Sequence, residues 1–135
     1  KMIFSNQYGE VDFWSHLKTY RNLPKIKNVA VTLSGGVDSA LVMFMLCEYI
    51  SKNKLDIKIM PFTGIDNLRP ANIWYAKEIS AYFEEKYPNL NFFPHYEFKY
   101  DHQPNNTEMK RNAHRMHEWN LYKEQNIQIF FCNIR

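Results

Sequence analysis

The residues best equipped for chemistry in this chain are Ser34, Gly35, Gly36, Val37, Asp38 and Ser39, in which two hydroxyls and a carboxylate surround a glycine pair. They stand between an apolar, β-branched run, Val29 to Leu33, and an apolar stretch from Val37 to Ile50. The first reads as a buried strand and the second as a helix buried on most sides, so only a short turn separates them. Gly35 and Gly36 lack a Cβ and tolerate positive φ, which lets backbone N–H groups converge on an oxyanion. The unpaired amides and positive dipole end of the helix that starts there favour an anion at the same spot. Ser34 and Ser39 add hydroxyl donors, which suits a polyphosphate better than a carboxylate. Asp38 would repel a phosphate unless it turns to cap backbone amides or meets a divalent cation. Magnesium is therefore expected with the nucleotide, and Asp38 is its expected ligand.

The spacing is not that of the Walker loop, which carries a lysine before its final hydroxyl, nor that of the dinucleotide fingerprint. The run Ser34-Gly35-Gly36-Val37-Asp38-Ser39 resembles the PP-loop signature, SGGxDS, of the ATP pyrophosphatase superfamily. That superfamily includes the ATP-dependent synthetases for GMP, NAD, asparagine and tRNA lysidine, together with tRNA thiolation enzymes. The resemblance implies an adenine nucleotide alpha hydrolase-like fold and an adenylation reaction. ATP would lie with its triphosphate over Ser34 to Ser39, and a substrate oxygen would attack the α-phosphorus. Mg-pyrophosphate would leave, and a nucleophile such as ammonia, lysine or sulfide would then displace AMP. Asp38 and Ser39 take the catalytic positions in this reading, by positioning and charge neutralisation rather than nucleophilic attack.

In PP-loop enzymes the end of the second strand borders the adenine and ribose, and in the lysidine-forming branch it often reads like D-x-G-L-R. Asp66-Asn67-Leu68-Arg69 is similar but lacks the glycine. By this resemblance Phe62 or Met60 walls the adenine, Asp66 bonds a hydroxyl or amide, and Arg69 neutralises phosphate or substrate charge. The alternative is that Asp66 and Arg69 shape a turn and cap the next helix while Phe62 and Met60 belong to the core.

Further along, Lys110, His114 and His117 share one side of an expected helix, and Arg111 and Arg115 share an adjoining one, with Trp119 and Tyr122 between the charges. This stripe fits either an RNA backbone or an ordinary solvated face, and Arg115 is the residue expected to reach the site. No third ligand accompanies His114 and His117 for a metal. Cys132 is either a sulfur-carrying thiol, as in the thiolating relatives, or an inert buried one. Two other functions stay open: a sulfonucleotide-reductase-like enzyme, and a nucleotide-binding module without catalysis.

These residues need a scaffold, and the pattern along the chain alternates strand with helix. A leading helix is expected over Val11 to Arg21, ended by Leu23-Pro24-Lys25. Strands are expected at Val29 to Leu33, Ile57 to Phe62, Phe92 to Phe98 and Ile127 to Cys132, the third weakened by Pro94 into an edge or interrupted strand. Helices are expected from about Ala71 to Lys86 and, with Thr107 as N-cap, to about Gln125. Such alternation implies an α/β fold with a doubly wound parallel sheet and helices on both faces. Ligands then sit beyond the carboxyl ends of the strands, which selects Ser34 to Ser39, Thr63 to Arg69, Tyr100 to Asn106 and Asn133 to Arg135.

At 135 residues, with 45% hydrophobic and 16% aromatic residues, the chain suits a single nucleotide-binding domain spanning 1–135. No uncharged apolar run reaches membrane-spanning length, and the first residues turn polar too soon for a secretory signal. Cys47 and Cys132 make neither a metal pattern nor a disulfide framework, so a reducing cytoplasm is the expected location. The net charge of +3 permits an acidic substrate or RNA without demanding one. The expected partners are ATP and an acceptor of small-molecule or tRNA class, with homodimerisation left open and no membrane. Lys1 before Met2, and an end at Arg135 just after a strand, read as a fragment or a minimal member of its kind.

Overall fold

The computed structural model of the chain describes residues 2–13, 25–101 and 107–132. A hairpin comes first, β1 (Met2–Asn6) paired antiparallel with β2 (Gly9–Phe13). The α/β body follows in the order β3 (Asn28–Thr32), α1 (Val37–Lys52), β4 (Lys58–Asp66), α2 (Asn72–Lys86), β5 (Asn91–Phe92), β6 (Tyr96–Tyr100), α3 (Thr107–Gln125) and β7 (Ile129–Phe131). All pairings in the central sheet are parallel, in the order β5-β4-β3-β7, with β6 also paired to β4. The chain thus winds outward from β3 through β4 to β5 and β6, then returns to lay β7 on the other side of β3.

The hairpin corrects the start of the expected leading helix, because Val11 to Phe13 are strand; the rest of that segment, 14–24, lies outside the described residues. The reason is local. The Asn6 side-chain oxygen accepts the Tyr8 N–H at 2.8 Å, and Gly9 takes φ +155, so the chain reverses there and Val11 continues as an exposed strand residue.

Period-two alternation in β3 divides the interior into two cores. Val29, Val31 and Leu33 project to one face, where Ile59 joins them and Met43, Leu46 and Ile50 of α1 and Ala76 and Phe83 of α2 cover them. The buried positions of α1 recur at three- and four-residue steps, which is why this stretch folds as a helix against the sheet. Each fully enclosed Leu or Ile here contributes about 1.5–3 kcal/mol. On the other face Ala30, Met60 and Phe62 meet Phe98 of β6 and Leu121 of α3.

Strand β4 runs four residues beyond the expected end at Phe62, through two residues that sequence reading treats as breakers. Pro61 sits opposite Val31 in the interior of the sheet. Ile59 points its carbonyl toward the β5 edge, where it accepts the Phe93 N–H at 2.8 Å, and two residues on Pro61 faces that same edge. There the neighbouring strand is broken between Phe92 and Tyr96, so the missing proline donor costs no ladder bond. The broken edge strand is the one expected at Phe92 to Phe98. Gly64 leaves room for three rings: a Cβ on it would meet Phe98 Cζ at 2.8 Å, His114 Cε1 at 2.9 Å and Tyr100 Cε1 at 3.0 Å.

Candidate anion-binding site

The turn from β3 into α1 brings Ser34, Gly35, Gly36, Val37, Asp38 and Ser39 together at the carboxyl end of the central strand. This is also where the winding changes direction between β4 and β7, the point at which parallel sheets leave a crevice for ligands. The two glycines have different reasons to be glycine. Gly35 holds φ +85, and a Cβ there would meet Tyr75 Cβ at 3.0 Å and the Asn72 carbonyl at 3.1 Å. Its lack of a side chain lets the turn dock on the first turn of α2, with no ligand required. Gly36 is the N-cap of α1 at φ −95 and ψ 170, a conformation open to any residue. Among the described residues a Cβ there would meet only Ser34 Oγ, at 3.5 Å, which is ordinary contact. Helix α1 therefore opens with no side chain over its cap and with Gly36, Val37 and Asp38 exposed.

Ser39 departs from its expected role. Ser39 is buried, 1% exposed. Its hydroxyl donates to the Gly36 carbonyl at 3.1 Å and accepts the Ser34 N–H at 3.3 Å, with Ser34 Oγ a further 3.4 Å away. The Ser39 hydroxyl thus braces the turn from within, whereas Ser34 is exposed and keeps its hydroxyl available beside the main-chain amides. Asp38 lies exposed in the first turn of α1, where its charge complements the positive end of the helix. Among the described residues no group of three or more His, Cys, Asp or Glu is arranged to hold a metal. A single carboxylate suits a magnesium that arrives on a polyphosphate and takes its other ligands from phosphate and water.

The remaining expected residues are spread around the carboxyl end of β4 or lie away from it. Phe62 is wholly enclosed, stacked on Tyr96 at 5.5 Å and touching the Phe98, His114 and Phe130 rings, and Met60 is equally buried. Neither can wall an adenine, because the α3 face of the sheet is closed over them. Asp66 is buried and serves the turn: its Oδ1 accepts the Leu68 N–H at 2.8 Å and its carbonyl accepts the Arg69 N–H at 3.0 Å. It also bonds the Tyr100 hydroxyl, and burial with this carboxylate pushes that phenol up to about 12, so it stays protonated. The Arg69 side chain is exposed and close enough to Tyr100 to act on it electrostatically.

On α3 the expected basic side turns inward. His114 is 4% exposed and donates from Nδ1 to the Lys110 carbonyl at 2.8 Å, and His117 stacks on Phe98 at 4.2 Å and bonds the Tyr96 hydroxyl at 2.7 Å. Burial holds both imidazoles below their ordinary value. They serve the aromatic core, not a metal or an RNA backbone. Arg115, the next residue, is exposed on the adjoining side of the helix.

Cys132 follows β7, and its sulfur turns toward Glu118 Oε1 at 3.4 Å and Thr32 Oγ1 at 3.6 Å. The residue is exposed at the surface, yet the protein packed around its sulfur pushes the thiol up to about 11, so it stays protonated at neutral pH. The expected site segments at 102–106 and 133–135 lie outside the described residues.

Sequence reading selected Thr63 but missed His95 beside the loop and the contact between the two. Thr63 Oγ1 donates to the Leu33 carbonyl at 2.9 Å and lies 2.7 Å from His95 Nε2. They are 32 positions apart, and no local spacing announces the pair. A cleft of about 350 Å³ also opens between α1 and α2, lined by Gly35, Ala40, Tyr75, Ile79 and Tyr82, with Glu78 at its border. Its apolar lining and carboxylate make it unsuited to phosphate.

Compared with protein-family models, with curated proteins and with solved structures, the chain matches none of them.

Proposed function

We propose that the chain is an ATP-binding enzyme of the PP-loop kind, which adenylates an oxygen of an acceptor and releases pyrophosphate. The observation that carries this reading is Gly36. Among the described residues no contact calls for glycine there, and it leaves the first amides of α1 open to a close-approaching oxyanion. The SGGxDS pattern supplies the class of ligand, and the reversal of winding beside β3 supports a doubly wound sheet of the adenine nucleotide alpha hydrolase-like type. In this proposal the triphosphate of Mg-ATP lies over the Gly36 to Ser39 amides, Asp38 meets the magnesium, and the fixed turn stabilises the departing pyrophosphate. The acceptor is a small molecule or a tRNA, with Arg69 and Arg115 as the cations available to it. The exposed Gly36 amide leaves a non-catalytic nucleotide-binding module as the second reading. The test is acceptor-dependent release of pyrophosphate from Mg-ATP. Release that saturates with ATP supports the enzyme, binding without turnover supports the module, and neither removes both.

A further inference from the structure

The peptide that opens the loop, between Leu33 and Ser34, is gripped at both ends. Its carbonyl accepts the Thr63 hydroxyl at 2.9 Å, and its N–H donates to Ser39 Oγ at 3.3 Å. The directions of these bonds can be assigned. Thr63 has one hydroxyl hydrogen, and a carbonyl only accepts, so that hydrogen lies toward Leu33. The 2.7 Å contact with His95 then requires the imidazole to donate from Nε2. The neutral ring carries its hydrogen on Nε2, and its buried Nδ1 lone pair meets no hydrogen-bond partner among the described residues. From there every link points the same way. His95 Nε2–H donates to Thr63 Oγ1, Thr63 to Leu33 O, the Ser34 N–H to Ser39 Oγ, and Ser39 to Gly36 O at 3.1 Å. Head-to-tail bonds of this kind polarise and strengthen one another, most of all where water is excluded. The last acceptor, the Gly36 carbonyl, also takes the Ala40 N–H at 3.3 Å, the first helical bond of α1.

We infer that His95 is a positioning residue for the anion loop, acting through Thr63 to fix the Leu33–Ser34 peptide and, beyond it, the cap of α1. The inference rests on the proposed anion-binding role of the loop. The charged groups facing His95 are Glu97 on β6 and Lys77 on α2, paired with each other at 2.8 Å. Burial, with Lys77, disfavours a second ring proton while Glu97 favours one, and a proton added at Nδ1 would find no acceptor among the described residues.

Three measurements test this. Nitrogen NMR of the ring reads the tautomer in the unaltered protein, where Nε2–H is expected and Nδ1–H would overturn the inference. Amide exchange at Ser34, measured without ligand, is expected to speed about tenfold in Thr63→Val and His95→Leu, the effect of losing one hydrogen bond, while Thr63→Ser and His95→Gln restore protection. Calorimetry with Mg-ATP is expected to follow the same order. A merely structural role would lower protection of all core amides together and leave no Ser34-selective change; that result, or unchanged Ser34 exchange in a folded His95→Leu protein, overturns the inference. Should His95→Leu fail to fold, the tautomer and the Thr63→Ser and Thr63→Val pair still decide. An unaltered protein that binds no Mg-ATP, yet shows the Nε2–H tautomer and the Ser34 effects, refutes the anion reading and leaves the hold of His95 on the loop established.

Discussion

Replacing each loop glycine by alanine separates architecture from ligand binding. At Gly35 the left-handed φ of +85 costs an alanine about 1–2 kcal/mol. Its methyl would also stand 3.0 Å from Tyr75 Cβ and 3.1 Å from the Asn72 carbonyl. Both belong to the opening turn of α2 and are not flexible chain ends, so α2 must shift, at about 1–3 kcal/mol. Gly35→Ala should therefore lose about 2–5 kcal/mol, which for a 135-residue chain is a fall of roughly 8–20 °C in Tm. At Gly36 no strain or clash arises. Restricting the unfolded chain stabilises by about 0.4–1 kcal/mol, and exchanging glycine for alanine at an N-cap costs a similar amount, so the two nearly cancel. Gly36→Ala should keep its Tm within about 2 °C, while its methyl blocks the approach to the α1 amides and weakens Mg-ATP at least about tenfold, or 1.4 kcal/mol. Calorimetric unfolding and titration of both variants decide the matter. A Gly36→Ala protein that binds Mg-ATP like the unaltered chain, or a Gly35→Ala protein with unchanged Tm, refutes the reasoning.

Other outcomes follow from the same structure. Gly64→Ala drives a methyl against ring atoms of Phe98, His114 and Tyr100 at 2.8–3.0 Å and should cost about 1–3 kcal/mol, read from the urea midpoint; an unchanged midpoint would show that the aromatic packing yields. His95, His114 and His117 are all held below 6.5 by burial, so the unfolded chain binds more protons as the pH falls through that region. Their contribution is complete above about pH 6.5 and lost on acidification, so the urea midpoint should drop as the pH falls below about 6.5, and a flat profile there would contradict their burial. Cys132 at about 11 and Cys47 at about 12 should alkylate in the native protein at about pH 8 far more slowly than a peptide cysteine, as followed by mass spectrometry. Fast modification of Cys132 would reopen a sulfur-carrying role.

What sequence alone reveals of this protein depends on how local each determinant is. The turn at Ser34 to Ser39 was legible because its glycines, hydroxyls and flanking apolar runs are contiguous, and the α/β alternation follows from the same local patterns. The amino-terminal hairpin was not, since Val11, Trp14 and Leu17 also fit a helical period, although Val11-Asp12-Phe13 alternates after the Asn6 to Gly9 turn. Helical spacing placed His114 and His117 on one side of α3, but only packing decides that this side meets Phe98 rather than water. Pro61 and Gly64 end a strand in isolation. In the fold one faces a gap in the neighbouring strand and the other makes room for three rings. The dual use of Ser39, and its link through Leu33 and Thr63 to His95, connects residues that come together only when β3 and β4 pair.

The most direct test of the central claim is a Mg-ATP titration of the unaltered protein, followed by the backbone amide resonances. Saturable shifts concentrated at Gly36, Val37, Asp38 and Ser39, weakened when magnesium is withheld, are the predicted result. Shifts that saturate elsewhere on the surface, or none at those four amides, would contradict it.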